Sequence, residues 1–163
     1  MGQDHSFDIV SRIDHQEVAN AVQTTLKEIR NRFDFKNSRA EILLEKERLV
    51  LVADDDFKIK ALRTALEEKL VRRKVPLRAI TFGRIADGAD RTVKQEAVFQ
   101  AGIPVEKARE IVKLVKAAKF KAQVAIQGDE VRVSSAKIDV LQEVIAHLKA
   151  HDLGVHMQFV NYR

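Results

Sequence analysis

Gln123-Val124-Ala125-Ile126-Gln127-Gly128-Asp129-Glu130-Val131-Arg132-Val133-Ser134 decides how the chain is to be read. On either side of Gly128-Asp129 apolar and polar residues alternate with period two. That is the pattern of two half-buried strands, and a Gly-containing dipeptide between them marks a tight hairpin. Upstream, Ala108, Ile111, Val112, Val115 and Ala118 recur at helical spacing. Pro104 stands at the start of that stretch, where its missing N–H costs nothing. Further upstream, Thr92 to Ala101 reads as a strand. Downstream, Ile138, Leu141, Val144, Ile145 and Leu148 line a second helix, and Val155 to Val160 reads as a closing strand. The order is strand, helix, hairpin, helix, strand.

The first half repeats this plan. Phe7 to Arg12 alternates as a strand. Asp14 caps a helix from near His15, with Glu17 at the capping-box spacing and a stripe of Val18, Ala21, Val22, Thr25, Leu26 and Ile29. Glu41 to Glu45 and Arg48 to Ala53 form a hairpin across Lys46-Glu47. Asp54-Asp55-Asp56 opens a helix with stripe Ile59, Leu62, Leu66 and Leu70, and Leu77 to Phe82 is a fourth strand. Gly83 to Asp90, aperiodic and with two glycines, reads as a linker. The halves echo each other: Ile13-Asp14 matches Ile103-Pro104, and Phe57-Lys58-Ile59-Lys60-Ala61-Leu62 matches Ala136-Lys137-Ile138-Asp139-Val140-Leu141. The fold class is therefore α+β: two tandem ferredoxin-like βαββαβ domains, each a four-stranded antiparallel sheet with two helices on one face.

Composition narrows the function classes. The 163 residues are 45% hydrophobic and 33% charged, a folding composition. There is no cysteine, hence no disulfide framework, thiolate metal site or cysteine nucleophile, and a reducing compartment is the expectation. No apolar run approaches the roughly 20 residues of a membrane span, and the N-terminus lacks the pattern of a signal peptide, so a cytoplasmic protein without a membrane partner is expected. The five histidines lack short ligand spacing, and Asp54-Asp55-Asp56 sits where a helix cap belongs. No metal or cofactor is expected. The net charge of +5 and pI near 9.5 favour polyanionic partners.

Four features could meet such a partner. Arg32-Phe33-Asp34-Phe35-Lys36-Asn37 sets aromatics between cations, as base stacking with phosphate contacts requires; the same two aromatics could equally plug the end of the core. Arg109, Lys113 and Lys116 fall within about 60° of one another on the third helix, opposite its apolar stripe. Arg72-Arg73-Lys74, with Lys69 and Arg78, clusters where a helix ends and cations suit its dipole. On the second half's sheet, if Val131 and Val133 face the helices, Gln123, Gln127, Arg132, His156 and Gln158 face outward, with no carboxylate among them. Amides and Arg on such a face can pair with base edges and phosphates. Placed outward, Arg132 is expected to be replaceable without much loss of fold. The first half's outer face carries Leu43, Val50 and Val52 and is expected to be covered, by the other domain or by a protein partner. Neither Arg48-Leu49-Val50-Leu51-Val52 nor Glu130 to Ser134 carries the aromatics by which an RNA-recognition module stacks bases.

Ser6-Phe7-Asp8-Ile9-Val10-Ser11, Arg32 to Asn37, Lys121 to Arg132 and Gln158-Phe159-Val160-Asn161-Tyr162-Arg163 resemble, in order along the chain, the bacterial YajQ family. The resemblance implies a non-enzymatic nucleotide-binding protein whose ligand is a nucleotide, RNA or a cyclic dinucleotide such as cyclic di-GMP. It also implies that the two domains exchange their first strands. The domains would be residues 13–90 completed by strand 91–102, and residues 103–163 completed by strand 6–12. Neither would then be self-sufficient when the chain is cut near residue 87. One departure stands out. After the seventh strand the family carries a glycine-containing turn with lysine and arginine, whereas this chain has Ser134-Ser135-Ala136-Lys137-Ile138-Asp139, so no phosphate contact is carried over to that turn. Two further readings remain beside this one: a small phosphate-handling enzyme using Arg12 or Arg132 with Asn37, and a protein-interaction adaptor.

Overall fold

A computed structural model of the chain describes residues 4–163. The elements run β1 (His5–Val10), α1 (His15–Asn31), β2 (Ala40–Leu44), β3 (Arg48–Ala53), α2 (Asp56–Arg72), β4 (Ile80–Asp87), β5 (Val93–Phe99), α3 (Val105–Ala117), β6 (Gln123–Gln127), β7 (Glu130–Ser135), α4 (Ile138–Ala150) and β8 (Gln158–Val160). They form two compact units. One is Ile13–Phe99; the other joins the segment ending at Arg12 to Gln100–Arg163.

In the Ile13–Phe99 unit the sheet order is β2-β3-β5-β4, all antiparallel. α1 and α2 cover one face, and Val18, Leu49, Leu51, Ile59, Leu62 and Leu66 are wholly buried there. Asp14 starts α1 by accepting from the backbone N–H groups of Gln16 and Glu17, and Asp55 starts α2 by accepting from that of Lys58 at 2.8 Å. Each satisfies donors that a helix start leaves orphaned. The aspartate run is thus capping apparatus, with Asp54 accepting from the Arg39 backbone.

In the other unit the order is β6-β7-β1-β8. β1 lies centrally, pairing with β7 through Phe7↔Val133 and Ile9↔Val131, and with β8 through Ile9↔Phe159. Phe7 and Ile9 enter a core with Ile111, Val131, Val144 and Leu148. In both units, then, the central strand comes from the opposite half of the sequence: β1 completes the C-terminal sheet, and β5 completes the N-terminal one. The chain passes between units twice, at Arg12–Ile13 and at Phe99–Gln100.

The structure corrects two expectations. Gly83 to Asp90 is not a linker. β4 continues through it to Asp87, and a turn centred on Asp90-Arg91, with φ angles of 53° and 62° and closed by the Thr92 N–H on the Ala89 carbonyl at 3.1 Å, leads into β5. The period was hidden by a register shift between Phe82 and Ile85, where the buried Gln95 side chain donates to the Gly83 carbonyl at 2.8 Å. Secondly, the last strand begins only at Gln158, because the backbone N–H and C=O of His156 are held by the Gln100 side chain instead of a ladder. Within this chain the outer face of the N-terminal sheet is part buried and part exposed. Val50 is buried and Val52 half-buried, but Leu43 and Val98 are about half exposed, and an Arg48–Glu96 ion pair shares the face.

Candidate nucleotide-binding surfaces

Arg32 to Asn37 follows α1 as a single 3₁₀ turn, Phe33–Phe35, and splits the motif in two. Phe35 is buried among Val18, Ile29 and Ile42, with the Lys58 ammonium 4.9 Å and the Arg32 guanidinium 5.4 Å from its ring centre. Phe33 points into solvent, 88% exposed. The core reading therefore holds for Phe35 alone, and Phe33 takes no part in the core. Arg32 is bound to Asp34 by two hydrogen bonds, of 3.0 and 2.7 Å. That pairing raises the Arg32 pKa and holds the Asp34 carboxyl below its ordinary value. The Lys36 side chain is exposed and makes no ion pair or hydrogen bond among the described residues. A second ring stands at this end of the unit. Phe57, in the first turn of α2 and beside Lys58, is 74% exposed. Phe57 escaped the sequence reading, although it lies about 200° from Ile59 at helical spacing and so off the buried stripe.

On the C-terminal unit's sheet, period two sets Gln123, Gln127, Arg132 and Gln158 on the outward face as expected. That face is not free of carboxylates. Arg132 donates from Nε to Asp8 at 2.8 Å, and Asn161 donates to the same carboxylate at 2.9 Å. The Arg132 hydrogen bond holds the buried Asp8 carboxyl below its ordinary pKa, against the burial that would raise it; Asn161 acts in the same direction. The pairing raises the Arg132 pKa in turn. Glu130, overlooked in its own strand, pairs with Arg12. His156 is engaged through Nδ1 with Ser11 Oγ at 3.1 Å, and Gln158 accepts from the Arg12 backbone. Arg132 is thus a structural partner before it is anything else, and its removal strands a buried charge. Asp8 was missed because its outward parity matters only once β1 is known to lie beside β7.

Arg109, Lys113 and Lys116 are exposed on α3 and make no ion pair or hydrogen bond among the described residues. They lie on the helix side of the unit and the amides on the opposite, sheet side, so the structure does not bring the two groups together. The cluster at the end of α2 is partly consumed internally: Lys69 is buried on Glu28 at 3.0 Å and Arg73 meets Glu17 at 3.5 Å, while Arg72 and Lys74 are exposed. Neither arginine offered for phosphate chemistry is free, since Arg12 holds Glu130 and Arg132 holds Asp8. Asn37 belongs to the other unit. Among the described residues there is no group of three or more acidic, His or Cys side chains that could hold a metal ion, and no helix is long and apolar enough to cross a membrane.

A family model described as nucleotide-binding protein YajQ-like matches residues 5–163. The chain belongs to the YajQ-like family. It is 53% identical over 160 residues to a protein of Koribacter versatilis, covering 98% of both chains. It is 50% identical over 163 residues to one of Desulfitobacterium hafniense, covering 100% of both, and 45% identical over 163 residues to one of Bacillus cereus, again end to end. Each of these relatives is named a nucleotide-binding protein, and none of these names denotes an enzyme. In this YajQ-like chain the exposed rings Phe33 and Phe57 are what a nucleobase could stack upon, and the uncommitted ammonium groups are what a phosphate could approach.

Proposed function

We propose that the protein is a non-enzymatic cytoplasmic binder of nucleotide units, taking RNA or a cyclic dinucleotide such as cyclic di-GMP at the end of the Ile13–Phe99 unit. One observation carries this reading: Phe33 stands in water between Arg32 and Lys36. Burying a Phe is worth about 1.5–3 kcal/mol, and here that gain is left unused on a ring one residue from Arg32 and three from Lys36 in sequence. Stacking of a base on such a ring is worth about 1–3 kcal/mol and tolerates any base, because every base has a π face. Arg32 is already paired with Asp34, so phosphate contacts fall to Lys36 and Lys58. The names of the relatives support the same ligand class. The adaptor reading rests on Leu43, Val50 and Val52, of which Val50 is buried and Val52 half-buried, and both arginines offered for the enzyme reading are paired with carboxylates.

Fluorescence anisotropy with a labelled single-stranded RNA and with labelled cyclic di-GMP tests the proposal on Phe33→Ala. Because the ring touches little protein, the variant keeps its fold. Its affinity for the ligand that binds drops by roughly fivefold to a hundredfold, the equivalent of one lost stack. An unchanged affinity overturns the assignment of Phe33.

A further inference from the structure

We infer that the C-terminal unit carries a separate slot for a single nucleotide, between α4 and the paired segments at the start of β1 and at Asn161–Arg163. Ser6 and Arg163 exchange both backbone hydrogen bonds, at 3.2 and 2.9 Å, which extends the sheet past β8 and fixes Tyr162 beside the groove. The groove encloses about 290 Å³. Its floor is buried Leu141. Its walls are Ile145, Ile138 and Tyr162, the last two 51% and 65% exposed despite their size. Two facing apolar walls with an aromatic on one side suit a flat ring inserted between them.

The rim supplies what a nucleobase needs and an aliphatic ligand does not. Gln142 carries an amide donor and acceptor, His5 a ring nitrogen pair and Tyr162 a hydroxyl, and none of these side chains makes a hydrogen bond among the described residues. An amide pairs with a base edge through donor and acceptor together. Arg163, which also lines the groove, brings a cation beside it for a 5′-phosphate. The volume stands at the lower end of the roughly 300–1,000 Å³ of small-molecule sites, which suits one base with its sugar and not a dinucleotide. The slot does not depend on Phe33, which belongs to the other unit.

The test is a titration of ¹⁵N-labelled full-length protein with AMP, followed by amide shifts, with ribose 5-phosphate and benzyl alcohol as probes lacking the base or its polar edge. AMP is expected to shift Ile138, Gln142 and Tyr162 saturably and more tightly than either control. Tyr162→Ala should weaken AMP roughly tenfold and Gln142→Ala several-fold. Both side chains are exposed, so both variants fold. Phe33→Ala should leave AMP binding in the groove unchanged. Absence of saturable shifts in the groove overturns the inference, as does equal binding of benzyl alcohol or an unaltered affinity in Tyr162→Ala. AMP shifts confined to the surroundings of Phe33 would overturn the slot and leave the proposal for Phe33 standing.

Discussion

Asp8 shows how far a single residue's meaning depends on topology. By its period it is an ordinary outward residue of a strand; in the sheet it is a buried carboxylate held by Arg132 and Asn161. Arg132→Ala should therefore cost stability, because it leaves the buried Asp8 carboxylate without its cation. Urea denaturation measures it, and an unchanged midpoint would refute the pairing. The pH dependence has a definite sign. The folded-state pKa of Asp8 is lowered, so its contribution is present above the ordinary aspartate value near 4 and is lost as pH falls below that, through the folded value. Asp8→Asn should flatten this part of the acid limb, and an acid limb identical to the parent's would contradict the account. Phe33 and Phe35 make the complementary point. Two identical residues in one motif divide between solvent and core, because a 3₁₀ turn sends i and i+2 in different directions.

Among elements, the capping aspartates invite a discriminating comparison. Asp55→Ala should destabilise the protein by about 1 kcal/mol, since it removes the acceptor for the Lys58 N–H. Asp56→Ala, at a position that makes no such bond, should stay within about 0.5 kcal/mol. Equal losses in chemical denaturation would argue against the cap. Most elements were legible in the sequence, because strong periodicity and recognisable caps coincide: α1 with Asp14, β6 and β7 around Gly128-Asp129, and α3 after Pro104. β4 beyond Phe82 was not legible, since the irregularity at Gly83-Arg84 shifts its register and destroys the alternation. Nor was the shortness of β8, which depends on Gln100, far away in sequence. At the surfaces the chemistry of the side chains was legible and their engagement was not. The amide-bearing sheet face was placed correctly, yet Glu130 and the exchanged Asp8 turn its arginines inward upon the protein. Phe57 was hidden inside a helix start whose stripe it does not join.

For the whole molecule, the exchange of first strands decides where the chain can be divided. Cutting near residue 86 leaves β1 without its sheet and the N-terminal sheet without central β5. Residues 13–99, by contrast, contain all four strands of their sheet and both covering helices. The expectation that neither domain can stand alone is thus narrowed to cuts between β4 and β5. Expressed alone, residues 13–99 should unfold cooperatively, while residues 1–86 should be insoluble or molten. The reverse outcome in thermal melts would contradict the pairing described here. Net charge acts at this scale too: +5 over 163 residues biases the molecule toward anions without selecting one. The most direct measurement is therefore an anisotropy titration of the full-length protein with labelled single-stranded RNA and with cyclic di-GMP, at 50 and 200 mM salt. The account predicts saturable binding of at least one of them, weakening by roughly tenfold between the two salt concentrations if two or three phosphates are contacted. No saturable binding of either ligand, or an affinity indifferent to salt, would contradict it.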